Sequence, residues 1–278
     1  MGGSLVSICI PTYLGAAFLA ATIESVLRQS CADFEVWVVD DASPDETFDV
    51  VAAFNDRRIR YVRNERNLGP IANWNRCLEL ARGKYYKLLP QDDLLEPGSL
   101  AEQVAILEAD RDEAIALVFG SRLVIDHRDR SYFNRGLRGM RAGIIGGRAL
   151  IRRCIRAGSN LIGEPGNGLI RRSIVERVGQ YDARHPYLVD LDYWFRVLMH
   201  GDAYYTARRS SRFRISQGSW SVALGSKQFQ DFKGFVEKFA ADPRFGISRT
   251  DRLAGMARAR INTFARAVIY RSLFKGRP

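Results

Sequence analysis

The sequence predicts an α/β protein with a doubly wound, mainly parallel sheet, helices on both faces and a C-terminal helical extension. Two observations carry this prediction. Short apolar runs alternate with segments of helical periodicity over the first part of the chain, and polar motifs follow several of the apolar runs. Ligands of such sheets bind beyond the carboxyl ends of the strands. We therefore expect these polar motifs to line one crevice.

The strands of the first part are predicted from five short apolar runs. The first run is stopped by Pro11, because proline lacks the N–H that a sheet ladder needs. Polar motifs follow three of the runs: PTY after the first, Asp40-Asp41 after the second and Asp92-Asp93 after the fourth. The predicted strands span residues 5–10, 34–39, 59–62, 84–89 and 114–119.

Helical segments separate these runs. The apolar residues within 19–27 share one face of the first helix. The second helix follows SPDE at 43–46, which has the form of a capping box with proline at the first helical position. The third spans 71–81 and precedes Gly83, a residue type favoured after a helix C-terminus. The fourth spans 99–110.

The second part is less regular. Residues 127–148 are rich in glycine and arginine and predict a loop, either a plain linker or a flap over the site. A helix over 149–157 and a strand near 168–170 follow. The segment 189–201 predicts a helix whose first residues include two aspartates, a common arrangement for charges that complement the helix dipole.

The last helix, predicted over 252–274, is basic and amphipathic. Its apolar face consists of Leu253, Ala257, Ile261, Phe264, Ala265 and Val268. Arginines lie at the flanks of this face or behind it: Arg258, Arg260, Arg266 and Arg271. Such a helix can lie in an anionic membrane surface. It can equally be an ordinary helix packed on the domain with a solvated basic face, and the charge of the chain favours the membrane.

Charge is distributed unevenly along the 278 residues, whose net charge is +11. Residues 1–110 contain 10 Lys and Arg against 17 Asp and Glu, whereas residues 111–278 contain 32 against 14. The second part is therefore expected to face an anionic partner. No apolar run approaches the length of a spanning helix and no signal peptide is recognisable, so we expect a cytoplasmic protein. The four cysteines are too dispersed to indicate a metal cage or a disulfide framework.

With these motifs placed, the sequence resembles the inverting nucleotide-sugar glycosyltransferases of family two, which have the GT-A fold. The matching segments are VSICIPTY (6–13), ESVLRQS (24–30), VWVVDDASPDET (36–47), NLGPIANWN (67–75), GKYYKLLPQDDLLEP (83–97), VDLDYWFRVLMHGDAYY (189–205) and FRISQGSWS (213–221). The resemblance implies a GT-A domain over 1–221, with a nucleotide-sugar-binding half (1–110) and an acceptor-binding half (111–221). Residues 222–278 form the helical basic extension outside it.

The resemblance also implies roles for the polar motifs. The residues carried over as donor contacts are Pro11, Thr12, Tyr13, Asp40, Asp41, Asn67, Gly69 and Asp92. The DxD motif of the family is incomplete here, because Pro90 stands where its first aspartate is usual. Metal binding therefore rests on the Asp92-Asp93 pair, with Asp93 as the direct ligand of Mg²⁺ or Mn²⁺ and Asp92 on the ribose or a metal-bound water.

The catalytic base implied by the resemblance is Asp190, with Trp194 and Arg196 following in register. It would take a proton from the acceptor hydroxyl. Val189 replaces the glutamate that usually precedes this aspartate, and Asp192 is the second candidate. Ser216 stands where the family often has a histidine, which removes one metal ligand.

The function expected is inverting transfer of a sugar from a UDP- or dTDP-type donor to a glycan or lipid-linked glycan hydroxyl, in surface polysaccharide biosynthesis. Three alternatives are weighed against it. A catalytically silent nucleotide-sugar-binding protein fits the missing acidic residues. A nucleotidyltransferase would need a Gly-rich basic phosphate loop after the first strand, which PTYLGAAF lacks. A nucleic-acid-binding protein fits the pI of 9.8 but shows no binding motif.

Overall fold

The structure, a computed structural model, describes residues 4–215 and 228–274, with the side chains of the last helix described as far as residue 266. Its strands in chain order are β1 (Val6–Thr12), β2 (Phe34–Asp40), β3 (Ile59–Arg63), β4 (Tyr85–Leu88), β5 (Leu94–Leu95), β6 (Ile115–Ile125), β7 (Ser131–Arg135), β8 (Gly143–Ile145), β9 (Gly168–Arg171) and β10 (Asp202–Arg214). They form one ten-stranded sheet within the described residues.

The sheet has a parallel part and a mixed part. Its order is β3-β2-β1-β4-β9-β6-β10-β5, with β7 beside β6 and β8 beside β10. The first four strands are mutually parallel, and β9 then runs antiparallel between β4 and β6. Strands β6 and β10 are parallel to each other. The parallel strands that the apolar runs predicted are confirmed, and β9 joins them to the second part.

Helices cover both faces of this sheet. They are α1 (Leu19–Leu27), α2 (Thr47–Ala52), α3 (Pro70–Leu80), α4 (Ser99–Ala109), α5 (Gly147–Ala157), α6 (Arg172–Val178), α7 (Val189–Val197), α8 (Gln228–Ala240) and α9 (Arg249–Phe274). One buried cluster joins α1, α2 and α4 to the sheet, and another joins α3 and α5–α8. Alternate strand residues serve the two clusters: Val36 and Val38 pack on one face, and Val39 on the other. The doubly wound arrangement is thus confirmed.

Two local predictions are wrong. Residues 43–46 do not form a capping box, because α2 begins at Thr47 and the Ser43 hydroxyl donates to Asp40 instead. Residues 127–148 are not a plain loop, because β7 and β8 extend the sheet there. A segment rich in arginine and glycine has a low propensity for β-strands, so its sequence does not predict one. Pairing with β6 and β10 outweighs this low propensity.

The last helix packs on the protein through the face opposite to the predicted apolar one. Asp251, Gly255 and Ala259 are buried against α5, and a Cβ at Gly255 would lie 2.3 Å from the carbonyl oxygen of Ile155. Small residues therefore allow a close approach of the two helices. The apolar residues of the predicted stripe that the structure describes are exposed, so this stripe does not hold α9 on the domain.

Candidate active site

A cleft of about 580 Å³ opens at the carboxyl ends of β1, β2 and β4. Its position agrees with the general rule that ligands of such sheets bind beyond the carboxyl ends of the strands. Its walls come from both parts of the chain and from the C-terminal helices. The predicted site residues in its walls are Pro11, Thr12, Tyr13, Asp41, Asn67, Asp92 and Asp190. Residues to which the sequence assigned no role in a site also line it, among them Gln91, Arg135, Asn160, Glu164, Arg214 and Arg266.

The end of β1 is tied to the end of β4 by one glutamine. The side-chain oxygen of Gln91 accepts from the Tyr13 N–H at 2.8 Å, and its amide nitrogen donates to the Tyr13 carbonyl at 2.9 Å. The Thr12 hydroxyl donates to the same Gln91 oxygen. The Tyr13 ring remains 42% exposed at the cleft. Gln91 therefore fixes the backbone while leaving an aromatic face open to a ligand.

Asp40 and Asp41 lie differently, although they are neighbours. Asp40 is fully buried and accepts from the Ser43 N–H and hydroxyl and from the Tyr61 hydroxyl, so its oxygens are engaged inside the protein and it is absent from the cleft wall. Asp41 lines the cleft and accepts from the backbone N–H groups of Leu68 (2.8 Å) and Gly69 (2.9 Å). It thereby shapes the loop ahead of α3.

That loop carries Asn67 and Gly69. The side chain of Asn67 lines the cleft and accepts from the Gly69 N–H at 3.0 Å. Gly69 has a φ of 86°, a region that favours glycine, and directly precedes α3. Gly69 is therefore a conformational residue of the loop, and Asn67 is its exposed polar group.

The adjacent aspartates of the opening motif are also separated by the backbone. Asp92 lines the cleft, whereas Asp93 is 2% exposed and accepts from the Arg214 N–H at 3.0 Å. Burial raises the pKa of Asp92. The pKa of Asp93 is raised well above its usual range by burial and by the charge of Asp92. The protein thus offers one carboxylate to the cleft and uses the other to hold β10.

Arg214 is the principal cation beside this pair. It is buried, donates from Nε to the Asp92 carbonyl at 2.9 Å and pairs through Nη2 with Asp129 at 2.8 Å. Arg135 and Arg266 also line the cleft. The charge asymmetry of the sequence predicted arginines of the second part near an anionic ligand without specifying them.

Asp190 lies at the start of α7, in the wall of the same cleft. Its Oδ2 accepts from the Asn160 amide at 2.7 Å, and its Oδ1 accepts from the Leu191 N–H at 2.7 Å. Burial, followed by the negative charge of Glu164, raises the pKa of Asp190 to about 7. A carboxylate with such a pKa can accept a proton near neutral pH.

The segment 160–164 positions Asn160 against this carboxylate. The Asn160 side-chain oxygen accepts from the backbone N–H groups of Ile162 (3.0 Å) and Gly163 (2.9 Å). The Gly163 carbonyl accepts from the Trp194 indole at 2.8 Å. Glu164, also in the cleft wall, pairs with the buried Arg122. The segment is therefore locked to α7, and it carries two residues that act on Asp190.

Strand β4 also reaches this segment. The buried Lys87 donates from Nζ to the carbonyls of Gly166 (3.0 Å) and Gly168 (2.7 Å). Burial lowers the pKa of Lys87 to about 7. The strand that leads to Asp92 thus also holds the turn that follows Glu164.

Asp192, the second candidate base, is occupied elsewhere. Its Oδ1 accepts from Arg196 Nε at 2.8 Å and its Oδ2 pairs with Lys238 of α8. It is 1% exposed and absent from the cleft wall. Its geometry is that of a carboxylate joining two helices. Ser216, the other position of interest in this motif, lies outside the described residues.

No set of three or more His, Cys, Asp or Glu side chains is arranged to hold a metal ion in residues 4–215 and 228–266. The chemistry nevertheless suits a hard cation bound largely by a substrate. Burial and then the charge of Asp92 raise the pKa of Asp93, and a cation bound to the Asp92 carboxylate at the cleft wall would offset that charge.

The fold is that of a GT-A protein, and polar residues from several segments of the chain line one cleft of it. Residues 7–179 match the family model for glycosyl transferase family 2, and the chain belongs to that family. An uncharacterized protein of Mycobacterium tuberculosis is 32% identical over 201 residues, covering 70% of this chain and 62% of the relative. An uncharacterized glycosyltransferase of Rickettsia felis is 28% identical over 236 residues, covering 79% of this chain and 36% of the relative. The chain thus spans between about a third and three fifths of these relatives.

Solved structures of the S. aureus protein TarS share the fold. Its residues 1–349 in complex with UDP-GlcNAc superpose with a TM-score of 0.68 at 16% identity, covering 84% of this chain and 66% of TarS 1–349. The complex with UDP gives a TM-score of 0.63 at 16% identity, covering 88% of this chain and 73% of the other. At this identity the likeness establishes the fold.

Within the part of the chain that the structure describes, no helix is both long and apolar enough to cross a bilayer. Arginines recur along the part of the long helix α9 whose side chains the structure describes.

Proposed function

We propose that the protein is an inverting glycosyltransferase that moves a sugar from a UDP- or dTDP-type donor to a hydroxyl of a glycan or lipid-linked glycan, in surface polysaccharide biosynthesis. The observation that carries the proposal is the presence of Asp190, with its pKa raised to about 7, in the same cleft as Tyr13, Asp41 and Asp92. The UDP and UDP-GlcNAc complexes of TarS support a uridine-type donor.

The donor would bind along the β1, β2 and β4 ends. The exposed Tyr13 ring can stack on the base, and the polar groups of Asn67 and Asp41 can meet the base and ribose. Pro11 and Thr12 shape the backbone beneath it. Asp40 and Gly69 would act through the loop conformations that they stabilise, since neither lies in the cleft wall.

A divalent cation, Mg²⁺ or Mn²⁺, would be held by Asp92, with Asp93 behind it, and when bound would neutralise charge on the leaving diphosphate. The position of Asp92 in the wall favours it over Asp93 as the direct ligand. Arg214, which donates from Nε to the Asp92 carbonyl, would bring further positive charge to the diphosphate side of the cleft.

Asp190 would act as the base. The acceptor oxygen attacks the anomeric carbon, its proton passes to the Asp190 carboxylate, and the bond from that carbon to the diphosphate oxygen breaks. Attack from the side opposite the leaving group inverts the configuration. Hydrogen bonds from Asn160 and the Leu191 N–H orient the carboxylate for this transfer.

We also propose a peripheral contact between the C-terminal helical region and a membrane. Residues 252–278 would contact the anionic cytoplasmic face of a membrane peripherally, which suits a lipid-linked acceptor.

The test is a transfer and donor-hydrolysis assay over a panel of UDP- and dTDP-sugars, with and without EDTA. Asp190→Asn should lower turnover by about 10²- to 10⁴-fold while calorimetry shows unchanged donor binding. Asp192→Asn is the matched control, since it removes a carboxylate two residues along the same helix but outside the cleft. Equal activity of Asp190→Asn and the wild type would refute the base assignment. Full activity in EDTA would refute the metal role, and donor binding without turnover on any acceptor would identify a silent family member.

A further inference from the structure

We propose that the outer face of α9 seats the protein on an anionic lipid surface and thereby presents the cleft to acceptors anchored in that surface. The outer face consists of Leu253, Ala257, Ile261 and Phe264, with the arginines beside them. This inference rests on the proposed function for the nature of the acceptor. The lipid contact itself rests on the geometry of the helix.

The apolar part of the outer face is open to solvent. Leu253 is 62% exposed, Ile261 59% and Phe264 74%. At about 100° per residue these side chains and Ala257 lie within about 80° of arc, so they form one continuous strip. Three large apolar side chains in one exposed strip exceed the scattered single residues that are normal on a protein surface.

Arginines border this strip on both sides. Arg249 and Arg260 lie at one edge and Arg258 beyond the other, and all three are exposed. The only carboxylate in residues 249–266 is Asp251, which is buried on the inner face. An apolar strip with cationic borders is the pattern of a helix lying in the interface of an anionic membrane. The strip enters the acyl boundary, and the arginines meet the headgroups.

Helix α5 extends the basic surface next to α9. Arg152 and Arg156 of α5 pair with Asp251 at 2.9 and 3.2 Å, and their side chains are 47% and 58% exposed. One carboxylate thus neutralises at most one of the two arginines. This surplus of positive charge favours an anionic lipid surface over a second copy of the chain, since two copies would bring like charges together.

The inner face of α9 joins this surface to the candidate active site. Asn262 donates to the carbonyls of Ala157 and Gly158 at 2.9 and 3.0 Å, which fixes the helix on α5. Ala259, Thr263 and Arg266 line the cleft.

One helix therefore has the cleft on one side and the apolar strip on the other. A protein seated on lipid through the strip would hold its cleft within one helix diameter of the headgroups, about 10 Å. An acceptor hydroxyl on a lipid-anchored glycan could reach the cleft from there, and its concentration would be raised by confinement to the same surface.

The test compares sedimentation with vesicles of phosphatidylcholine alone and of phosphatidylcholine with about one-third phosphatidylglycerol. The full chain should bind the anionic vesicles and lose binding in high salt. The double variant Leu253→Asp, Phe264→Asp should reduce the fraction bound at least tenfold. Ile144→Asp is the matched control, because Ile144 is 61% exposed but lies on β8. It should bind as the wild type does.

Donor hydrolysis in vesicle-free solution separates the two proposals. The double variant should hydrolyse the nucleotide sugar at the wild-type rate but lose its preference for a vesicle-borne over a water-soluble glycan acceptor. Vesicle binding by a chain that neither hydrolyses any donor nor transfers its sugar to any acceptor would overturn the proposed function and leave the lipid contact standing. Equal vesicle binding by the double variant and the wild type would overturn the lipid contact. A dimer in sedimentation velocity that the double variant abolishes, without vesicle binding by the wild type, would assign the strip to self-association instead.

Discussion

Replacing Asn160 by alanine should move the pH dependence of sugar transfer. In the native site the Asn160 amide donates to Asp190 at 2.7 Å and stabilises the ionised carboxylate. A hydrogen bond to a charged group contributes about 1.5–3 kcal/mol, which corresponds to about 1–2 pKa units. Because burial and the charge of Glu164 already raise the pKa of Asp190 to about 7, the Asn160→Ala variant should titrate at about 8–9.

The sign of the effect follows from the role of the base. Asp190 is active when ionised, so kcat/KM of the wild type should rise tenfold per pH unit below its pKa, about 7, and level off above it. At pH 7 the Asn160→Ala variant should lose roughly 5- to 50-fold in kcat/KM, and it should regain most of this loss by about pH 9 to 10. The assay is kcat/KM for transfer measured at half-unit steps of pH, with the melting temperature recorded at each pH.

Asn64→Ala is the matched control, because the Asn64 amide also donates to an aspartate of the cleft, Asp41, at 2.8 Å. It should leave the acid limb of the profile in place. An Asn160→Ala variant that is equally slow at every pH, with its acid limb unmoved, would show that Asn160 serves only to fold the segment 160–164. An unshifted limb in both variants and in Asp190→Asn would refute Asp190 as the titrating base.

Three further outcomes are expected. Asp192→Asn should lower the free energy of unfolding, measured by chemical denaturation, by about 1–3 kcal/mol, because it leaves Arg196 and Lys238 partly unpaired. Its kcat/KM should stay within about twofold of the wild-type value. Gly255→Ala should cost about 1–3 kcal/mol, since its Cβ would lie 2.3 Å from the Ile155 carbonyl oxygen, whereas Ala254→Leu on the exposed side should leave the melting temperature unchanged. UDP with Mn²⁺ at about 100 times its Kd should add about 2.7 kcal/mol, a rise in melting temperature of roughly 5–10 °C; no rise would contradict nucleotide binding.

The parallel half of the fold could be predicted because each of its strands is recognisable from a short stretch of the sequence. Each strand is a short apolar run, and each polar motif follows a strand end, so β1, β2 and β4 bring Tyr13, Asp41 and Asp92 to one cleft. Which member of an adjacent pair faces the cleft could not be predicted. Asp92 and Asp93 differ only in the direction that the backbone gives their side chains, and that direction depends on the pairing of Asp93 with the Arg214 N–H.

The part of the cleft around Asp190 depends on contacts between distant segments. Strand β10 was not predicted, because its arginine-rich sequence has low strand preference and its register along β6 contains irregularities. Arg214 was therefore not placed beside Asp92. Asn160 and Glu164 belong to an irregular segment without periodicity, and only the fold brings them to Asp190. A polar residue in a loop carries no local signal of what it will face.

The hydrogen bonds of Lys87 limit how the two sides of the cleft can move relative to each other. Strand β4 leads to Asp92 in one wall of the cleft, and through Lys87 it also anchors the carbonyls of Gly166 and Gly168 behind Glu164. The two sides of the cleft thus share one strand of a continuous sheet. Opening and closing by a hinge between them would break this strand's buried contacts, so rearrangement around substrates should be confined to loops at the rim, and the amides of β4 and of residues 166–168 should exchange with solvent slowly and together.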